Sequence, residues 1–178
     1  AGRTTGFVTL RARPDSVYER VGSVDELVEV GIDSVVGAVA GVTNKVSVTI
    51  VDNNRSPSVT LLVGSAGFAE GGSTTVTARV TGRSANEIKA CLLFTGTATF
   101  DVDYRVDNVC ITIPALSLIG SVNLLTTDVP TDEPRVTIII DIDGRAVTNA
   151  VELGVQRRTI TVLSNDLPPL VSLSAETP

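Results

Sequence analysis

The sequence predicts an all-β chain folded as a two-sheet sandwich, and three observations carry that expectation. Val, Ile and Thr recur throughout, and β-branched side chains suit the pleated surface of a strand. Between residues 58 and 163 the apolar residues alternate with polar ones at a period of two, the spacing of a half-buried strand. Clusters of Gly, Ser, Asn, Asp and Pro break this pattern at the short intervals typical of sandwiches.

Taken in order, SVTLLV (58–63) opens the set and leads into the turn-rich SAGFAEGGS. STTVTARVT (73–81) alternates cleanly, and EIKACLLF (87–94) follows before the turn-rich TGTATFDVDY. NVCITIP (108–114) stops at Pro114, which cannot donate to a ladder. GSVNLLT (120–126), RVTIIID (135–141) and RRTITVL (157–163) complete seven strands. One segment, SVDELVEVGIDSVVGAV (23–39), places Val24, Leu27, Val28 and Val35 on a helical stripe. Gly31 and Gly37 interrupt it and β-branched residues dominate, so a strand is expected there too.

Composition narrows the function. With 43% apolar residues among 178, the chain can bury a core, and with 3% aromatics that core must be Val, Ile, Leu and Ala. A net charge of −6 argues against tracking a phosphate backbone. No His is present, which excludes a His-dependent triad and a His-ligated zinc, and two cysteines cannot form a four-thiolate site. No apolar run approaches the ~18 residues of a membrane helix. Nothing here predicts an enzyme.

Alternation puts Ile88, Ala90, Leu92 and Phe94 on one face of their strand and Cys91 on the other. In VCITI (109–113), Cys110 likewise lies opposite Val109, Ile111 and Ile113. If these strands are antiparallel neighbours, both sulfurs share the outer face and a cross-strand disulfide is open to them; otherwise they remain two half-buried thiols.

The chain also repeats itself. VTIVDNNRSPSVTL (48–61) returns as ITVLSNDLPPLVSL (160–173), 112 positions on. GFVTLRARPDSVYE (6–19) resembles GSVNLLTTDVPTDE (120–133), DELVEVGID (25–33) resembles DEPRVTIIID (132–141), and KVSVTIVDNN (45–54) resembles RTITVLSND (158–166). Residues 1–54 therefore read as the last three strands of one module, 57–166 as a complete module, and 168–178 as the first strand of a third. The repeated stretch is a joint, stiffened by Pro57, Pro168 and Pro169. Three strands alone would leave Phe7, Val8, Leu10, Val46, Val48 and Ile50 exposed, forfeiting ~1.5–3 kcal/mol for each large side chain. Either the sequence is a window on a longer array, the reading favoured here, or another chain supplies the missing strands.

AEGGSTTVTARV (69–80), FTGTATFDVDY (94–104), ITIPA (111–115), a loop containing Asp-Glu, and ITVLSND (160–166) follow one another in an order and spacing that resemble the Calx-β domain. The resemblance covers 57–166 and extends into the half-module through DSVYE and VDNN. It implies an immunoglobulin-like antiparallel β-sandwich with calcium held at one end, near the joint, where loops converge oxygen ligands on a hard cation. Carried over residue by residue, the implied ligands are Glu70, Asp103, Asp128, Asp132, Glu133 and Asp166 in the complete module. In the half-module they are Asp15, Glu19, Asp25, Glu26 and Asp52. Thr95 before the Gly-Thr-Ala motif, Ser164 and Asn165 at the exit, and Thr126 and Thr127 stand where acids are common, so calcium is expected to be weak or absent in the complete module.

GFAEGG and GSAG lack the Lys-Ser/Thr of a phosphate loop, and Asp141 and Asp143 in DIDG read as a strand end entering a turn. Asn54-Arg55-Ser56 is a glycosylation sequon weakened by Pro57. The resulting expectation is a non-enzymatic structural or adhesive segment of an extracellular or cell-surface array (a stalk, adhesin or fibre). Its partners would be neighbouring modules or copies, with no nucleic acid and no membrane insertion. The alternatives are a filament subunit that shares strands between chains, a calcium-sensing regulatory module, and an accessory domain of a secreted hydrolase.

Overall fold

The computed structural model describes residues 4–21 and 24–176, and among them there are strands and no helix. In the N-terminal part these are β1 (Val17–Tyr18), β2 (Glu26–Gly31) and β3 (Lys45–Ile50). The sandwich begins with β4 (Ser58–Val63), β5 (Gly67–Ala69), β6 (Ser73–Val80), β7 (Arg83–Ser84) and β8 (Ile88–Gly96). It continues with β9 (Tyr104–Val106), β10 (Cys110–Ile113), β11 (Ile119–Thr126), β12 (Val136–Thr148), β13 (Val151–Glu152) and β14 (Arg158–Leu163).

Two five-stranded sheets, β10-β8-β12-β14-β5 and β13-β4-β6-β11-β9, face each other. The alternation legible in the sequence decides which side chains they enclose. Val59, Leu61, Val76, Ala78, Ile88, Ala90, Ile111, Ile113, Leu124, Ile138, Ile140 and Ile160 are almost wholly buried between them. This is an immunoglobulin-like sandwich whose long ladders are all antiparallel. The pairs β13–β4 and β14–β5 are parallel, which the antiparallel expectation did not include. The β14–β5 pair arises because the first strand crosses between sheets, β4 joining β6 and β5 joining β14, while β13 adds to the other edge of β4. The stretch read only as turn, GFAEGG, therefore contains a strand.

Two glycines are demanded by close approach. Gly96 has φ +120°, and a Cβ there would lie 2.1 Å from the Thr137 carbonyl oxygen. That carbonyl accepts from both Thr97 N–H (2.9 Å) and Ala98 N–H (3.0 Å), so Gly-Thr-Ala is a bulge in which two residues oppose one. At Gly120 a Cβ would meet the Thr112 carbonyl oxygen at 2.1 Å, where β11 crosses β10. The DIDG stretch does not end its strand as the sequence suggested; β12 shifts register between Ile142 and Val147 and continues to Thr148.

Cys91 and Cys110 are direct partners in the β8–β10 ladder and form a disulfide on the outer face. Phe94, Phe100 and Tyr104 pack together nearby, with centroids 5.5–6.4 Å apart.

The N-terminal part differs from the expected three strands. The segment 23–39 forms β2, paired with β3 as an antiparallel hairpin from Glu26↔Ile50 to Gly31↔Lys45; Ser23 lies outside the described residues. Residues 6–10 form no strand. Their counterpart by sequence, β11, is held between β6 and β9, and residues 1–54 contain no segment matched to either of those. Phe7 is 94% exposed, and Val8, Leu10, Leu27, Val46 and Val48 are exposed as well. Residues 170–173 are likewise without a strand, and Leu170, Val171 and Leu173 are exposed.

Candidate functional site

The expected ligands fall into two groups, one at each end of the sandwich's connections. The first surrounds a cavity of about 190 Å³ at the joint before the sandwich, lined by Asp15, Glu19, Glu26 and Asp52 with Arg13 and Asn54. Asp15, through Oδ1, accepts from Val17 N–H (2.8 Å) and turns the chain into β1. Asp52 accepts from Glu19 N–H at one oxygen and from Asn54 N–H at the other, both at 2.7 Å. Desolvation raises its pKa, but the N–H groups of Glu19, Asn54 and Arg20 outweigh that, so Asp52 sits below the usual carboxylate range. Glu19 is pushed above that range, first by the charge of Asp15, then by partial burial, Glu26 and Asp52. Asp25 instead faces Arg20, with Nε to Oδ1 at 3.0 Å.

This joint has features that the sequence reading did not single out. β1 leaves the N-terminal part and pairs in parallel with β7, Val17 with Arg83 and Tyr18 with Ser84. Ala85 N–H donates to the Tyr18 carbonyl (2.8 Å), and Asn86 Nδ2 to the Glu19 carbonyl (3.3 Å). Asn54 Nδ2 donates to the Val17 carbonyl (2.8 Å), committing the sequon nitrogen to the joint. Tyr18 is buried, and Pro57 is fully buried with its carbonyl accepting from Val151 N–H. Proline alone was expected to stiffen the linker; a β-ladder spans it as well. The only signal for this in the sequence was the Asn-rich stretch, which reads equally well as a turn.

The second group lies at the far end. Glu70 is buried at 8% exposure, and its carboxylate accepts from Val129 N–H (3.3 Å) and Asn165 N–H (3.2 Å). Asp128 accepts from Asn165 Nδ2 (3.2 Å). Asp166 is pushed above its usual range by burial first, then by the charges of Glu70, Asp128 and Asp132. Its Oδ2 is buried without a hydrogen-bond partner. Glu133 and Asp103 line a small cavity with Glu70, while the Asp103 carboxylate itself caps the Thr99 N–H (2.6 Å). The two ends share a turn: Asp52 accepts from the N–H of residue 54, and Ser164 from that of residue 166 (3.3 Å). Among the described residues no three His, Cys, Asp or Glu side chains converge closely enough to hold a metal ion.

No family model matches the chain, and no curated protein matches it. Solved structures with similarity include the S-layer protein SbsC, domains 4 and 5, at 17% identity and TM-score 0.34, covering 68% of this chain and 58% of that one. SbsC domains 1–6 gives 14% identity and TM-score 0.36 over 70% of this chain and 15% of that one. WR4, a C. elegans MSP family member, gives 15% identity and TM-score 0.32 over 58% of this chain and 96% of that one. The chain thus spans less than two thirds of the SbsC structure of domains 4 and 5.

Proposed function

We propose that this chain is a segment of a non-enzymatic array of Calx-β-like modules at or outside the cell surface, serving as a stalk, adhesin or fibre. The observation that carries the reading is the ladder of Val17–Tyr18 on Arg83–Ser84. It fixes the β2–β3 part against the sandwich through backbone bonds, so consecutive units form a rod with a preferred angle rather than beads on a string. The disulfide supports an oxidising compartment. The exposed apolar residues at 7–10 and 170–173 support partners that are further modules of the same kind, in the same chain or in a neighbouring copy. Electron microscopy of the native polypeptide should show extended rods of constant width. Isolated compact particles would defeat the reading, and fibres assembled from a short polypeptide would favour strand sharing between chains.

A second reading, calcium at the joints, is favoured by the raised carboxylates there: Glu19 is raised first by the charge of Asp15, and Asp166 first by burial and then by the charges of Glu70, Asp128 and Asp132. The donors suit a hard cation, and the orphaned Asp166 Oδ2 is one that a cation would satisfy. Asp52, Glu70 and Asp103 are already engaged by N–H groups, so a cation competes with the turns they hold. Binding would relieve the repulsion and stiffen the joint, and a weak site suits a structural role better than a sensor. Titration calorimetry with calcium, with the melting temperature followed in parallel, decides this reading; no heat and no shift would remove it.

A further inference from the structure

We propose that the sandwich is a mechanical clamp that resists tension applied through its two ends. The inference rests on strand topology and does not depend on the surface reading. The chain enters at β4–β5 and leaves by β14, and β5 and β14 are parallel: Gly67 lies against Thr161, Phe68 against Val162 and Ala69 against Leu163. Tension entering at Ser58 bears first on β4, held antiparallel to β6 and parallel to β13; passed on through β4, it draws the start of β5 one way and the end of β14 the other, along their common axis. The ladder is loaded in shear, and its bonds must yield together. A hairpin pulled from its adjacent ends opens one bond at a time.

The ladder is closed at both ends. Thr161 N–H donates to the Ala66 carbonyl and Glu70 N–H to the Leu163 carbonyl, each at 2.9 Å. Glu70 then acts as a latch. Its carboxylate takes the Asn165 N–H just beyond β14 and the Val129 N–H of the neighbouring loop. At 8% exposure water is poorly placed to replace those partners while the clamp is intact. The disulfide lies on β8 and β10, off the loaded pair, and withholds the chain between Cys91 and Cys110 from extension after rupture.

Force spectroscopy on the whole chain, tethered at its two termini under non-reducing conditions, tests this. The sandwich should break in one event at a force well above that which opens the β2–β3 hairpin. Its extension should lengthen after reduction while the rupture force stays the same. Glu70→Ala should raise the unfolding rate at constant force roughly tenfold, the factor expected from losing a hydrogen bond to a charged group. Ile111→Ala, which empties a buried site on β10, should lower the melting temperature yet leave that rate nearly unchanged, because the rest of the sandwich is intact when the clamp breaks. If Glu70→Ala does not fold, the isosteric Glu70→Gln should shift the rate in the same direction by less. The proposal is overturned if the sandwich yields at the hairpin's force, or if Ile111→Ala accelerates rupture more than the Glu70 variant does.

Discussion

Val48 stands directly opposite Val28, as Ile160 stands directly opposite Ile138, yet Val48 is 40% exposed and Ile160 is fully buried. Both strand pairs are antiparallel, running from Glu26↔Ile50 in the first and from Val136↔Val162 in the second. Only the second has a facing sheet. A two-stranded hairpin is marginal in water without such a face.

Limited proteolysis of the chain should therefore cut within residues 4–54 well before it cuts within 58–163. Backbone amides of β3 should exchange hydrogen orders of magnitude faster than those of β14. Equal protection in the two strands would mean that something outside this chain already covers the β2–β3 face.

The disulfide closes a loop with a sequence separation of 19, for which chain entropy gives roughly 3 kcal/mol of stabilisation. Paired Cys91→Ser and Cys110→Ser substitutions should lower stability to chemical denaturation by about that amount. The fold should survive, because the cysteines lie outside the core cluster. Denaturant titration of both forms, with the slope checked for constancy, measures it.

Backbone geometry makes a sharper prediction at four positions. Gly96→Ala and Gly120→Ala each push a Cβ into a carbonyl oxygen 2.1 Å away and should each cost at least about 3 kcal/mol. Gly82→Ala meets nothing within 4 Å and should change stability by no more than ~0.5 kcal/mol. Leu116, exposed and held at φ 61°, should gain a net ~0.5 kcal/mol on Leu116→Gly, relief of left-handed strain outweighing the entropy of glycine. Thermal melts of the four variants suffice.

Stability should also depend on pH through the two acidic groups. Glu19 and Asp166 have folded pKa values above their unfolded ones, so the folded state holds more protons there. Stability from these residues is lost as pH rises through their folded values and is fully recovered below the unfolded values, about 4. Asp52 works in reverse: its contribution is present above its unfolded pKa and is lost as acid protonates the folded carboxylate. The melting temperature should thus rise on going from pH 7 toward about 4.5 and fall again below about 3.5. Glu19→Gln with Asp166→Asn should flatten the rise and leave the acid-side fall. A melting temperature that only declines below neutrality would show that the repulsion is screened out.

The sequence by itself determined the long strands of the sandwich and their faces. Alternation in STTVTARV placed Val76, Ala78 and Val80 inward, and alternation in IKACLLF turned Cys91 away from Ala90 and Leu92. Both follow because a strand's side chains repeat every two residues whatever its neighbours are. Neighbours themselves are a tertiary matter. That Cys91 faces Cys110, that the Gly-rich GFAEGG hides a strand parallel to β14, and that Val17–Tyr18 crosses the joint to Arg83–Ser84 were decided by which edges met. The acids behaved likewise. Their turn positions were legible, and Asp103 caps the nearby Thr99 N–H within its own turn; but whether the others took a distant N–H, as Glu70 and Asp52 do, or were left facing other charges, as Asp166 is, depended on loops far apart in the chain. Short polar turns carry no period, so nothing local records where their side chains point.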